Sequence, residues 1–178
     1  MVYCVFYCDE KIMQLERDNC WYDEVEYLSK LYEENQIAPV AEDILCSLIF
    51  VCWYAYSKLE NTPARYVMFQ DFDYFKKQWL HFVCVGLDKF YNSHSLNFVI
   101  GYTAYTDNKY YKPMKRFGED LMKKACVNMP LELPYDVMLG KVRKNKNDDY
   151  LIIPDILFPG RCVADNYFRE ILAQAGIE

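Results

Sequence analysis

Histidine is scarce in this sequence, with His81 and His94 the only two among 178 residues. The eight cysteines include no CxxC pair. A structural zinc site is built on close Cys or His pairs, so no metal is expected. Glycine and proline number six and seven, which leaves little room for a flexible linker or a disordered arm. No Gly-rich phosphate loop, GxSxG elbow, HExxH or Walker pattern occurs, and no cofactor is expected. The longest apolar run, ILCSLIFVCWYAY from Ile44 to Tyr56, is thirteen residues and is followed at once by Ser57, Lys58 and Glu60. A bilayer span needs roughly 18 to 20, so no membrane span is expected. The opening MVYCVFYCDEKI lacks the basic start and small-residue cleavage site of a signal peptide. The expected location is therefore the cytoplasm, where cysteines are thiols and mostly serve as small buried hydrophobes.

What is abundant is apolar and aromatic. Hydrophobic residues make up 53% and aromatics 17%, in a chain long enough to bury roughly two-thirds of its unfolded surface as one domain. Asn19 is placed to cap a helix carrying Trp21, Val25, Leu28 and Tyr32 on one stripe. Pro39 can open the next, whose apolar residues run all round from Ile44 to Tyr56, as in a helix enclosed by others. Phe72, Phe75, Trp79, Val83, Gly86, Leu87 and Phe90 share a further face, with Gly86 placed to admit a close neighbour. Further helices are expected over SLNFVIGYTAY, over MKRFGEDLMKKACVN with Phe117, Leu121 and Ala125 on one side, around Tyr135 to Leu139, and over VADNYFREILAQAG. His94 reads as a loop residue, and only YLIIPDILF reads as strand. The expected fold is all-α: a single domain over residues 1–178, an irregular bundle of about seven or eight helices in helical-hairpin packing. LMKKACVNMP resembles the close of a tetratricopeptide second helix, in one copy without a 34-residue period.

Charge is distributed unevenly. Residues 1–43 hold eleven acids and three bases, a net of −8, and residues 44–178 hold 15 acids and 17 bases, a net of +2, which sum to −6. The one dense basic stretch, Lys141, Arg143, Lys144 and Lys146, is followed by Asp148 and Asp149, so nucleic acid is not the expected ligand. The acidic third is either a solvated face or a surface that steers a basic protein partner. The candidate contact residues are Asp9, Glu10, Asp18, Asp23, Glu24, Glu26, Glu33 and Glu34, joined by Tyr110 and Tyr111 for contact area.

Catalysis has weaker support. His81 and Cys84 stand at i and i+3, but His81 lies opposite the apolar stripe with no orienting third group. Asp71 with Asp73, and Asp148 with Asp149, are the neighbouring acids that solvated surfaces commonly carry. The chain is not expected to be an enzyme.

Taken in order, CWYAY, Phe98-Val99-Ile100-Gly101-Tyr102, the run Gly118 to Ala125, Pro130, Phe158-Pro159-Gly160 and the run Tyr167 to Leu172 form a series of landmarks. From about residue 20 to residue 172 this series resembles small helical bacterial immunity proteins of polymorphic toxin systems, including those of contact-dependent growth inhibition. The resemblance implies a cytoplasmic, non-catalytic protein that binds the toxic C-terminal domain of a cognate effector, often a basic nuclease, and neutralises it by stoichiometric occlusion. No binding residue of that family transfers by motif, so the candidate contacts rest on charge and exposure. The alternatives are a helical-repeat adaptor that binds a peptide or protein and, behind it, a thiol-dependent enzyme using Cys84 or Cys8.

Overall fold

A computed structural model of the chain describes residues 5–60, 69–107, 112–126 and 158–174. Seven helices form within them, and no strand does: α1 (Glu10–Arg17), α2 (Trp21–Glu34), α3 (Val40–Glu60), α4 (Phe69–Lys89), α5 (His94–Asp107), α6 (Lys112–Cys126) and α7 (Val163–Gln174). The all-α bundle follows from the 3.6-residue apolar periodicity of its segments. The segment around residues 135–139, the basic stretch 141–146 and strand-like residues 150–157 lie outside the described residues, as do Tyr110 and Tyr111.

Helix α3 is the axis of the bundle, packed against α2, α4, α5 and α7. Its residues from Ile44 to Trp53 are all buried, Cys46 and Cys52 among them. Ser47, the one hydroxyl-bearing small residue in that run, donates both to the Asp43 carbonyl (3.2 Å) and to the Tyr7 carbonyl (3.0 Å). The second bond fastens the segment before α1 onto the axis. The whole helix is longer than its apolar run. By length and composition Val40–Lys58 could cross a bilayer, and 72% of that stretch is buried inside the fold. The thirteen-residue run alone therefore understated its reach.

Helix α7 closes the core with aromatic contacts. Phe168 lies within 5.0 Å of Phe158, 4.8 Å of Tyr102 and 5.4 Å of Phe98, measured between ring centroids. The Tyr167 and Tyr102 hydroxyls share a hydrogen bond of 2.7 Å. Between α4 and α5, buried Trp79 donates its indole N–H to Thr103 Oγ1 at 3.1 Å. Thr103 donates in turn to the Val99 carbonyl at 2.9 Å, so neither polar group is left unsatisfied.

Two local expectations are corrected. Asn19 does not cap α2. It closes α1, with φ of 54° in the left-handed region that Asn tolerates, and its N–H donates to the Glu16 carbonyl (3.1 Å). Helix α2 starts after Cys20, which makes no side-chain cap. His94 is the first residue of α5 rather than a loop residue, its Nδ1 3.0 Å from the Ala125 carbonyl. Gly86 does admit a close neighbour, α5, but a tighter helix crossing lies between α5 and α6. A Cβ on Gly86 would meet side-chain atoms at 3.2 Å or more, whereas one on Gly118 would meet the Gly101 carbonyl oxygen at 2.5 Å. Gly101 and Gly118 thus let the backbones of α5 and α6 touch.

Candidate functional site: an acidic face on the first two helices

Helix α1 exists because Asp9 caps it. The Asp9 carboxylate accepts from the Ile12 N–H (2.9 Å), and Glu10 and Arg17 lie at the ends the helix dipole favours. The same carboxylate accepts from the hydroxyls of Tyr27 (2.7 Å) and Tyr7 (3.3 Å), which ties α1 to α2. Those bonds, with burial, hold the Tyr27 hydroxyl up at about 12. Asp9 is thus a half-buried structural residue.

Beyond that cap, Asp23, Glu26, Lys30 and Glu34 follow one another along α2 at spacings of three and four, so they line one face. With Tyr27, Leu31, Lys11 and Leu15 they border a groove of about 530 Å³ between α1 and α2. Asp23, Glu26, Glu33 and Glu34 are all exposed, as are Glu10 on α1 and Asp18 at its C-terminal cap. Asp18 accepts from Gln14 Nε2 at 2.8 Å. Six of the eight acids named from the sequence are thus open to solvent.

Glu24 is a correction. It is 2% exposed, and among the described residues its Oε2 has no hydrogen-bond partner. Burial, reinforced by Glu16 and Cys8, pushes its pKa up to about 9, so it is an uncharged acid at neutral pH. It faces a small internal space of about 10 Å³, lined also by Glu16, Ser47 and Cys162, which is near the volume of one water. The signal was present in the sequence. Glu24 lies three residues after Trp21 and four before Leu28, on the apolar stripe itself.

Two more acids in the same third are partly neutralised. Burial raises Glu16 to about 7, against the lowering effect of the Val163 N–H, which donates to both its carboxylate oxygens at 2.9 Å. Burial likewise raises Asp43 to about 7. The formal −8 of residues 1–43 therefore overstates the charge at pH 7, chiefly at Glu24 and in part at Glu16 and Asp43. What remains is concentrated on the outer side of α1 and α2.

The aromatic component of this surface was not found from the sequence. Tyr110 and Tyr111 lie outside the described residues, but Tyr22 is 43% exposed beside Asp23. Its ring rests against Tyr74 (4.8 Å) and Phe75 (4.7 Å), and its hydroxyl donates to Asp71. Tyr22, Asp23, Trp21, Lys58, Asp71 and Phe75 border a second hollow of about 430 Å³, so Asp23 borders both. By contrast, His81 and Cys84 are both exposed on the outer side of α4. No group of three or more metal-ligating side chains comes together among the described residues.

The fold and surface define an α-helical bundle with an acidic face on its first two helices. Comparison of the chain with protein-family models, curated proteins and solved structures finds no match.

Proposed function

We propose that the protein is a binding protein of the immunity type, which neutralises a basic toxin domain, such as a nuclease, by covering it stoichiometrically. The observation that carries this reading is the set of exposed acids Asp23, Glu26, Glu33 and Glu34 on α2, interrupted only by Lys30, together with exposed Glu10 and Asp18 and the half-exposed Tyr22. A nuclease is basic where it holds its substrate, and an acidic face accelerates encounter with such a surface. Tyr22, held in place by Tyr74 and Phe75, supplies rigid contact area of the kind that anchors interfaces.

The test is rescue. Cells expressing the C-terminal domain of an effector encoded beside this gene survive when the protein is co-expressed, and the two purify as a complex whose association slows as salt rises. The triple variant Asp23→Lys, Glu26→Lys, Glu34→Lys associates more slowly while its melting temperature stays within a degree or two, since exposed charges contribute little to stability. Absence of rescue and of a complex overturns the proposal. A complex insensitive to salt favours instead an adaptor that binds an apolar peptide.

A further inference from the structure

The hollow of about 430 Å³ lies between the first turn of α2, the last turns of α3 and the first turns of α4, and its volume is that of a ligand cleft. Its lining includes Ala55 and Phe75, both buried, and the exposed ring of Tyr22. That ring is fixed from two sides: it packs on Tyr74 and Phe75, and its hydroxyl donates to Asp71. Trp21, beside it, is held edge-on to Tyr54 with centroids 5.6 Å apart. The hollow thus joins a rigid, solvent-facing aromatic wall to two carboxylates on different helices, Asp23 and Asp71.

We propose that this hollow is the anchor site for one arginine side chain of the protein partner, with the guanidinium laid on the Tyr22 ring and its N–H groups given to Asp23 and Asp71. The assignment rests on the reading above that the partner is basic, and it names the group that partner must present. A guanidinium is planar, weakly hydrated and permanently charged, so it stacks on an aromatic face while still pairing with carboxylates at its edge. Arginine and tyrosine in sheltered pockets are the contacts that dominate interface energies. Asp23 also borders the groove between α1 and α2, so an arginine seated here carries its neighbours in sequence toward Glu26 and Glu34. Two features oppose a cation, Lys58 and the positive end of α2. Lys58 lays its ammonium over the Tyr54 ring, 4.9 Å from the centroid. Asp23, in the first turn, offsets the helix dipole.

The experiment titrates the full, isotope-labelled chain with a capped Gly-Arg-Gly peptide and follows amide and indole shifts by NMR, in about 0.15 M salt to screen loose attraction to exposed acids. The expected result is saturable shifts centred on Trp21, Tyr22, Asp23, Asp71 and Phe75, with a dissociation constant on the order of 1 mM. The lysine counterpart binds more weakly, and the citrulline counterpart, which has the shape without the charge, does not saturate. Asp71→Asn, which keeps an acceptor for Tyr22, and Tyr22→Ala each weaken the arginine peptide by about two- to fivefold. Lys58→Gln tightens it, because a repelling charge is removed; an anion site on the same turn of α2 predicts the opposite sign. Shifts spread evenly over the exposed acids, equal binding of the citrulline or lysine peptide, or weakening by Lys58→Gln overturns the proposal. The comparison of the three peptides on the unmutated chain decides this even where Tyr22→Ala fails to fold. No toxin domain enters the titration, so its outcome is separate from rescue: rescue without an arginine site refutes the hollow alone, and an arginine site without rescue or complex refutes the immunity reading alone.

Discussion

Replacing Gly118 with alanine tests whether α5 and α6 meet backbone to backbone. The added Cβ would lie 2.5 Å from the Gly101 carbonyl oxygen, 2.7 Å from the Tyr105 nitrogen and 3.1 Å from Tyr105 Cα. Comfortable contact needs about 3.5 Å, so the helices must separate by roughly 1 Å, and no flexible side-chain end is available to yield instead. Overpacking of this kind costs about 1–3 kcal/mol, and a backbone obstacle places it at the upper end. Alanine recovers at most about 1 kcal/mol of helix propensity. The net is a loss of about 2 kcal/mol, or about 4–8 °C in melting temperature for a chain of this length. Gly86→Ala is the internal control. Its Cβ would meet Ile100 Cδ1 at 3.2 Å, Leu96 Cδ2 at 3.5 Å and Ile49 Cδ1 at 3.7 Å, all ends of side chains rather than backbone. The propensity gain then prevails, and stability holds or rises by up to about 0.5 kcal/mol. Urea and thermal unfolding followed by far-UV circular dichroism measure both variants. If Gly118→Ala is as stable as the parent, or the two substitutions act alike, the close crossing is refuted.

Glu24 makes stability depend on pH in an unusual direction. Its folded pKa of about 9 exceeds the ordinary carboxyl value, so the native state holds a proton that the unfolded chain releases. Stability therefore falls as pH rises from about 5 to 8, by up to about 1.4 kcal/mol per pH unit from this group. Glu16 and Asp43 add to the fall up to about pH 7. Glu24→Gln keeps the shape without the titration, and urea midpoints across that range become flatter; a parent whose stability rises with pH contradicts the assignment. Asp9→Ala removes the α1 cap and the acceptor for Tyr27, a loss of about 1–3 kcal/mol, with Asp9→Asn losing less. Hydrogen exchange should locate the Asp9→Ala change in α1, and uniform protection across α1 would argue against it. Phe168→Ala empties a position 1% exposed and costs about 3–5 kcal/mol in denaturant unfolding; a loss under about 1 kcal/mol would mean that α7 does not close the core.

The sequence by itself determined the helices and the identity of the central one. Apolar spacing is a local property, and a run such as Ile44 to Tyr56 with no polar side can be stable only when other helices enclose it. It also determined that negative charge gathers before residue 44. The tertiary structure decided which acids carry that charge outward. Asp23 and Glu24 are adjacent and chemically alike, yet one faces solvent and the other is buried as a neutral acid, because the packing of α2 on α3 fixes its rotation. Asp9 caps α1 locally through the Ile12 N–H, but only the fold brings the Tyr27 hydroxyl to the same carboxylate. Likewise Gly101 and Gly118 are a pair that no local pattern announces. Each glycine has a reason for its identity only in the other, and only the folded chain brings them into contact.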